Sequence, residues 1–232
     1  MKDKLLWIVG GVLVLLLLVV ALVLPQKKEE KKNVKEDLLN ITYPDQGNEM
    51  ALNYESENPI VAMYIKKYGS IVMELYPNVA PNTVNSFISL IKSGYYDNNT
   101  FHRLVPGFVL QGGDPTGNGT GGPGYTIKGE FRQNGFQNDL SHDQWVLSMA
   151  RNSVSMDSAG GQFFICLDKA SSLDGAYATF GKVIDGFDNI KRIVENERVV
   201  DEVSGKLQEN LVLKKTVVDL KGKEYGEPEV IK

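Results

Sequence analysis

Arg103 and Gln111 are the two side chains of this sequence whose type and setting most suggest chemistry. Both lie in an otherwise apolar stretch, FHRLVPGFVLQGG, at Phe101–Gly113. Pro106 supplies a fixed φ and Gly107 a permissive backbone, so the stretch predicts two short strands joined by a tight turn. Side chains alternate across a strand. Phe101 is therefore expected on the same face as Arg103, and Val109 on the same face as Gln111. If the two faces coincide, one wall presents a cation and an amide beside apolar groups. Taken alone, the stretch fits a solvated cation on an edge strand more readily, because most charges are merely solvated.

The remaining composition excludes other chemistries. The chain has one cysteine and two histidines, too few ligands for a zinc site of the Cys/His kind, and no internal disulfide can form. Cys166, inside FFICL, reads as a small core hydrophobe. A net charge of −4 and a pI near 5.3 imply no basic surface, so nucleic acid is not an expected partner. Gly117, Gly119 and Gly122 spell G-x-G-x-x-G. A dinucleotide loop must open a helix, whereas here Pro123 and Gly124 intervene and Tyr125–Phe131 reads as extended chain. These glycines are expected to let a long loop pack closely on a strand. Neither a cofactor nor a metal is expected.

The elements that must position Arg103 and Gln111 follow from periodicity. Pro59–Tyr76 reads as a hairpin turning at Gly69, and Trp145–Ala150, Gln162–Leu167, Ala176–Val183 and Leu211–Leu220 as further strands. Gln162 and Phe164 share one face, with Phe163 and Ile165 on the other. Val84, Phe87, Ile88 and Ile91 fall at helical spacing, with Asn82 or Thr83 as the expected cap and Gly94 as the stop. A second helix, Gly186–Asn196, presents Phe187, Ile190, Ile193 and Val194. About eight short strands with Gly-rich turns and two helices predict a mainly β fold, an antiparallel closed barrel whose ends the helices cap.

Four segments are expected along the chain: an anchor at 1–25, a charged flexible tether at 26–58, the globular domain at 59–221 and a frayed polar tail at 222–232. Leu5–Leu24 is uninterrupted apolar or glycine sequence, long enough as a helix to cross a bilayer core. Ala21-Leu22-Val23-Leu24-Pro25 is a poor cleavage site, which favours an uncleaved single-pass anchor over a signal peptide. Lys27, Lys28, Lys31, Lys32 and Lys35 follow the run, and by count they argue for a cytoplasmic domain. The very short N-terminal tail argues instead for an exported one, so both orientations stay open, with an extracytoplasmic barrel preferred.

The sequence resembles the cyclophilins, the cyclosporin-binding class of peptidyl-prolyl cis-trans isomerase. FHRLVPGFVLQGGDPTGNGTGGPG, SMAR, and GQFFIC followed by LDG and FGKV carry the resemblance, in family order, from about Pro59 to Leu220. The resemblance implies an eight-stranded antiparallel barrel with two helices, and proline-containing polypeptides as partners. By motif it implies Arg103, Gln111 and Phe164 as catalytic, with Val109 where methionine is usual. It implies Phe108, Val109, Gly119, Ala150, Arg151, Gln162, Leu173 and Tyr177 as substrate-binding. Tyr177 stands where many members have histidine. Ser172 replaces the tryptophan of cyclosporin-sensitive members, which argues against tight drug binding. Gly161 replaces a usual serine, and Asn152–Ala159 departs from the usual run. The alternative to an enzyme is a binding module that holds Pro-containing segments with little turnover.

Overall fold

Strand β1, Ile60–Ile65, is buried on both faces, and this is what the barrel is built on. Its odd-numbered residues Val61, Met63 and Ile65 enter the main core, while Ile60, Ala62 and Tyr64 join a smaller cluster with Val72 and Val217. The computed structural model describes residues 54–232, so the expected anchor and nearly all of the expected tether lie outside the described residues. Among the described residues no helix is long and apolar enough to cross a membrane.

From β1 the chain turns through Lys67 and Gly69, both at positive φ, into β2, Gly69–Leu75. Helix α1 (Pro81–Lys92) follows, then β3 (Thr100–Val105) and β4 (Val109–Gly112). Next come β5 (Val146–Met149), β6 (Phe163–Cys166), β7 (Thr179–Asp185) and helix α2 (Phe187–Asn196). The short β8 (Val199–Asp201) and the long β9 (Lys206–Asp219) complete the order. The sheet runs β1-β2-β7-β5-β6-β4-β3-β9, and a β1–β9 pairing closes it, leaving no free edge among these eight strands. β8 lies outside the closed ring, paired only with β9.

Phe87 of α1, Tyr96, Phe101, Phe163 and Phe180 fill the interior, with neighbouring ring centroids 5.0–5.7 Å apart. Such pairs each add about 0.5–1.5 kcal/mol beyond the area they bury. Val84, Ile88 and Ile91 of α1, and Ile190 and Ile193 of α2, join the same core. With the interior occupied by side chains, any binding site must use the outer face of the barrel.

Three expectations are corrected. Asn82 and Thr83 do not cap α1: the N-cap is Ala80 with Pro81 as the first helical residue. The free N–H groups of Asn82 and Thr83 donate instead to the buried Glu130 carboxylate at 3.0 and 2.8 Å, where the helix dipole also favours an anion. Tyr125–Phe131 runs without helix, as expected, and makes isolated antiparallel bridges, Thr126 to Ile231 and Ile127 to Ala159. The final strand starts at Lys206, not Leu211. The tail is not frayed: Ile231 pairs with Thr126, and Asn82 and Glu229 exchange hydrogen bonds of 2.9 and 2.8 Å. Gly94 does end α1, at φ +75°.

Candidate active site

Arg103 reaches the outer face because β3 carries one extra residue. Phe101 pairs with Gly112 and Arg103 with Gln111, so two steps along β3 answer one step along β4. Phe101 and Arg103 consequently do not share a face, against the alternation rule. Phe101 is fully buried in the core, and Arg103 stands half-buried outside it. A bulge of this kind re-aims a side chain, and here it aims the guanidinium.

On the outer face Arg103 begins a hydrogen-bonded row. Its Nε donates to the Ser204 carbonyl at 2.8 Å, and its Nη1 to Gln111 Oε1 at 3.2 Å. Gln111 Nε2 donates to Gln162 Oε1 at 3.1 Å, and Gln162 Nε2 to the carbonyls of Gly119 and Gly121 at 3.0 and 2.9 Å. The amides are thereby oriented and the guanidinium is held in place. Burial lowers the Arg103 pKa, yet a guanidinium starts so high that it stays a cation at any working pH.

Beside this row lies an apolar patch separate from the barrel core. Val109, Phe164, Cys166 and Ala170 are buried in it, and Phe108, Ala150, Leu173 and Tyr177 pack against it from the rim. The alternation expected for β6 holds: Phe163 and Ile165 point inward, Phe164 and Cys166 outward. Cys166 is fully buried, and burial pushes its thiol up to about 12, so it acts as a hydrophobe. A groove of about 280 Å³ adjoins the patch and is lined in part by Gln111, Gly119, Ala150, Arg151 and Gln162. All the expected site residues therefore fall on the patch, the polar row or the groove. Ser172 is exposed on a short 3₁₀ turn, Ser171–Leu173, and offers no ring to the patch.

The glycine loop is folded round its own anion. Asp114, fully buried, accepts from Thr116 N and Oγ1 at 2.7 Å, Asn118 N at 3.0 Å and Gly119 N at 2.5 Å. Burial alone would raise its pKa, but the Thr116 hydroxyl and N–H, with the Gly119 and Gly121 N–H groups, outweigh it and bring the carboxyl to about 2. The Gly119 N–H, which could otherwise serve a phosphate, is thus spent on Asp114. Gly161 has a steric reason: a Cβ there would lie 2.6 Å from the Tyr95 ring, whose hydroxyl holds the Gly113 carbonyl.

Three residues escaped the sequence reading. His142, fully buried, stacks on Phe164 with centroids 6.0 Å apart and planes at 16°. Its Nδ1 lies 2.9 Å from Asp174 Oδ1, which also accepts from its backbone N–H at 2.7 Å, and its Nε2 lies 3.0 Å from Ser148 Oγ. Burial lowers the His142 pKa against the opposing pull of Asp174. A neutral ring with its proton on Nδ1 satisfies both partners. The trio mimics a hydrolase triad, but Ser148 is fully buried behind Phe164 and cannot meet a substrate. It is the back wall of the apolar patch. His142 and Ser148 stand six residues apart and Asp174 lies 32 residues beyond His142, a spacing that carries no recognisable motif.

The fold has counterparts among known proteins. The family model described as cyclophilin type peptidyl-prolyl cis-trans isomerase/CLD matches residues 60–218. Peptidyl-prolyl cis-trans isomerase B of Bacillus subtilis is 47% identical over 133 residues, which cover 57% of this chain and 88% of that protein. A peptidyl-prolyl cis-trans isomerase of Synechococcus elongatus is 43% identical over 135 residues, covering 58% and 86%. Among solved structures, a Cryptosporidium parvum cyclophilin type isomerase, crystallised in the presence of the dipeptide Ala-Pro, superposes with a TM-score of 0.60. The two are 35% identical, and the match covers 69% of this chain and 98% of that one.

Proposed function

Since the chain belongs to the cyclophilin type of peptidyl-prolyl cis-trans isomerase and catalyses that rotation, we propose that Arg103, Gln111 and Phe164 carry it out. The amide C–N bond resists rotation with a barrier of about 18–20 kcal/mol, because twisting it forfeits resonance. For X-Pro bonds the two isomers differ by only about 0.5–1 kcal/mol, but they exchange over tens to hundreds of seconds. A catalyst must favour the twisted state over both planar ones. In that state the prolyl nitrogen regains a lone pair. The Arg103 guanidinium donates to it, a preorganised interaction absent from the planar amide. The proline ring rests on Phe108, Val109, Phe164 and Leu173, with Tyr177 at the rim, while the other side of the bond turns. Gln111, Gln162, Gly119, Arg151 and the Ala150 backbone hold the flanking peptide. The step calls for no proton transfer, metal or cofactor.

The observation that carries this assignment is the row Arg103–Gln111–Gln162 alongside the apolar patch. Arg103→Ala is expected to lower kcat/KM roughly 100-fold or more, the loss typical of one preorganised donor. The fold should persist, because Arg103 is no part of the core cluster. An Arg103→Ala protein with unchanged catalysis of proline isomer exchange in a peptide would sink the assignment.

The chain is further proposed to work on proteins folding at a membrane. Support comes from the apolar run Leu5–Leu24 and the charged segment after it. Exposed Ser172 supports weak or absent cyclosporin binding.

A further inference from the structure

Arg151 is the one formally charged residue among those lining the groove beside the apolar patch. It is half-buried and held by two carbonyls and two rings. Its Nε donates to the Ala176 carbonyl and its Nη1 to the Asn152 carbonyl, both at 2.9 Å. Its guanidinium carbon lies 4.6 Å from the Tyr177 ring centroid and 5.4 Å from that of Phe131. None of the ion pairs formed among the described residues involves it. Three carboxylates of the surrounding loops are served by other donors. Asp114 is wrapped by its own loop, Asp157 accepts from Gly129 N and Asn134 Nδ2, and Asp174 accepts from His142. In a chain of net charge −4, Arg151 puts a cation at the boundary between groove and patch, its guanidinium against the Tyr177 ring at the patch rim.

The groove and the patch share Ala150 at their boundary. An extended peptide whose proline ring faces the patch therefore crosses Ala150 toward the groove. Side chains alternate along extended chain. The residue next to the proline points away, and the one after that points back at the protein, over Arg151. Resting on the isomerase assignment above, we infer that Arg151 makes this protein prefer substrates with an acidic side chain two residues from the proline. The guanidinium is already stacked and oriented, so little side-chain entropy is lost when a carboxylate pairs with it.

The test uses the full-length chain and two sets of short peptides, with Glu, Gln or Lys two residues before the proline or two residues after it. Catalysed isomer exchange and binding affinity are both measured. In one set, Glu should exceed Gln by roughly three- to five-fold in kcat/KM, the size of a half-exposed ion pair, and Lys should rank last. Added salt should compress the ranking. Arg151→Gln should flatten it, Arg151→Glu should invert it, and Arg151→Lys should keep the order in weaker form. Equal handling of all three side chains in both sets, or an unchanged ranking in Arg151→Gln, would overturn the inference. Absence of catalysed exchange with every peptide would overturn the isomerase assignment instead, and the affinities would still decide the role of Arg151.

Discussion

His142 stacks on the Phe164 ring and fixes it, and on the assignment proposed above a proline ring rests against Phe164. Phe164→Ala removes the floor on which the ring rests in both isomers and in the twisted state. Such uniform binding appears in KM more than in kcat. KM is therefore expected to rise about ten-fold with kcat changed less, measured at a temperature where the variant is folded; a fall in kcat alone would contradict this. Loss of a buried ring also costs about 3–5 kcal/mol of stability. Single residues show how far alternation can be trusted. It placed Gln162, Phe163, Phe164 and Ile165 properly, because β6 pairs on both sides without a slip. It misplaced Arg103 relative to Phe101, because the extra residue in β3 is visible only in the pairing. The wall of cation, amide and apolar groups nevertheless forms, since Arg103 still faces Gln111.

Loops and caps are the elements for which the sequence was least legible. The Gly-rich loop looked like a ligand cradle in spelling, and its real organiser is Asp114. With a folded pKa of about 2 against 3.8, Asp114 binds its proton more weakly in the folded state than in the unfolded one. Its contribution is fully present above pH ~4 and is lost as pH falls toward ~2, and the shift corresponds to about 2 kcal/mol. Asp114→Asn should lower stability by about this amount at neutral pH and flatten the acid limb of the unfolding curve, as followed by denaturant titration between pH 2 and pH 5. A mutant with the same acid limb as the parent would refute this account of the loop. The cap of α1 was equally hidden, since Glu130 lies 47 residues from Thr83. β8 and the first turn of β9 were missed because their outward side chains are charged or exposed, with only Leu207 buried between Lys206 and Asn210. The helices and central strands, whose apolar residues bury at regular intervals, were legible throughout.

At the scale of the molecule, the apolar run near the N-terminus and the barrel pose a question of sidedness. Seven lysines flank the run, two before it and five after, counting Lys2, Lys4, Lys27, Lys28, Lys31, Lys32 and Lys35. An extracytoplasmic barrel, the arrangement we propose, predicts that external protease degrades it in intact spheroplasts once the protein is denatured or its loops are nicked, with no need to lyse the membrane. Protection until lysis would place it on the other side. Either way, the filled interior decides what kind of work the protein can do. Five aromatic rings occupy the barrel, so nothing is threaded through it, and the wall to which we assign catalysis lies outside the barrel core. A client needs no free end. A proline in the middle of a long chain can be handled as well as one near a terminus, provided a few residues on each side can lie flat against the wall.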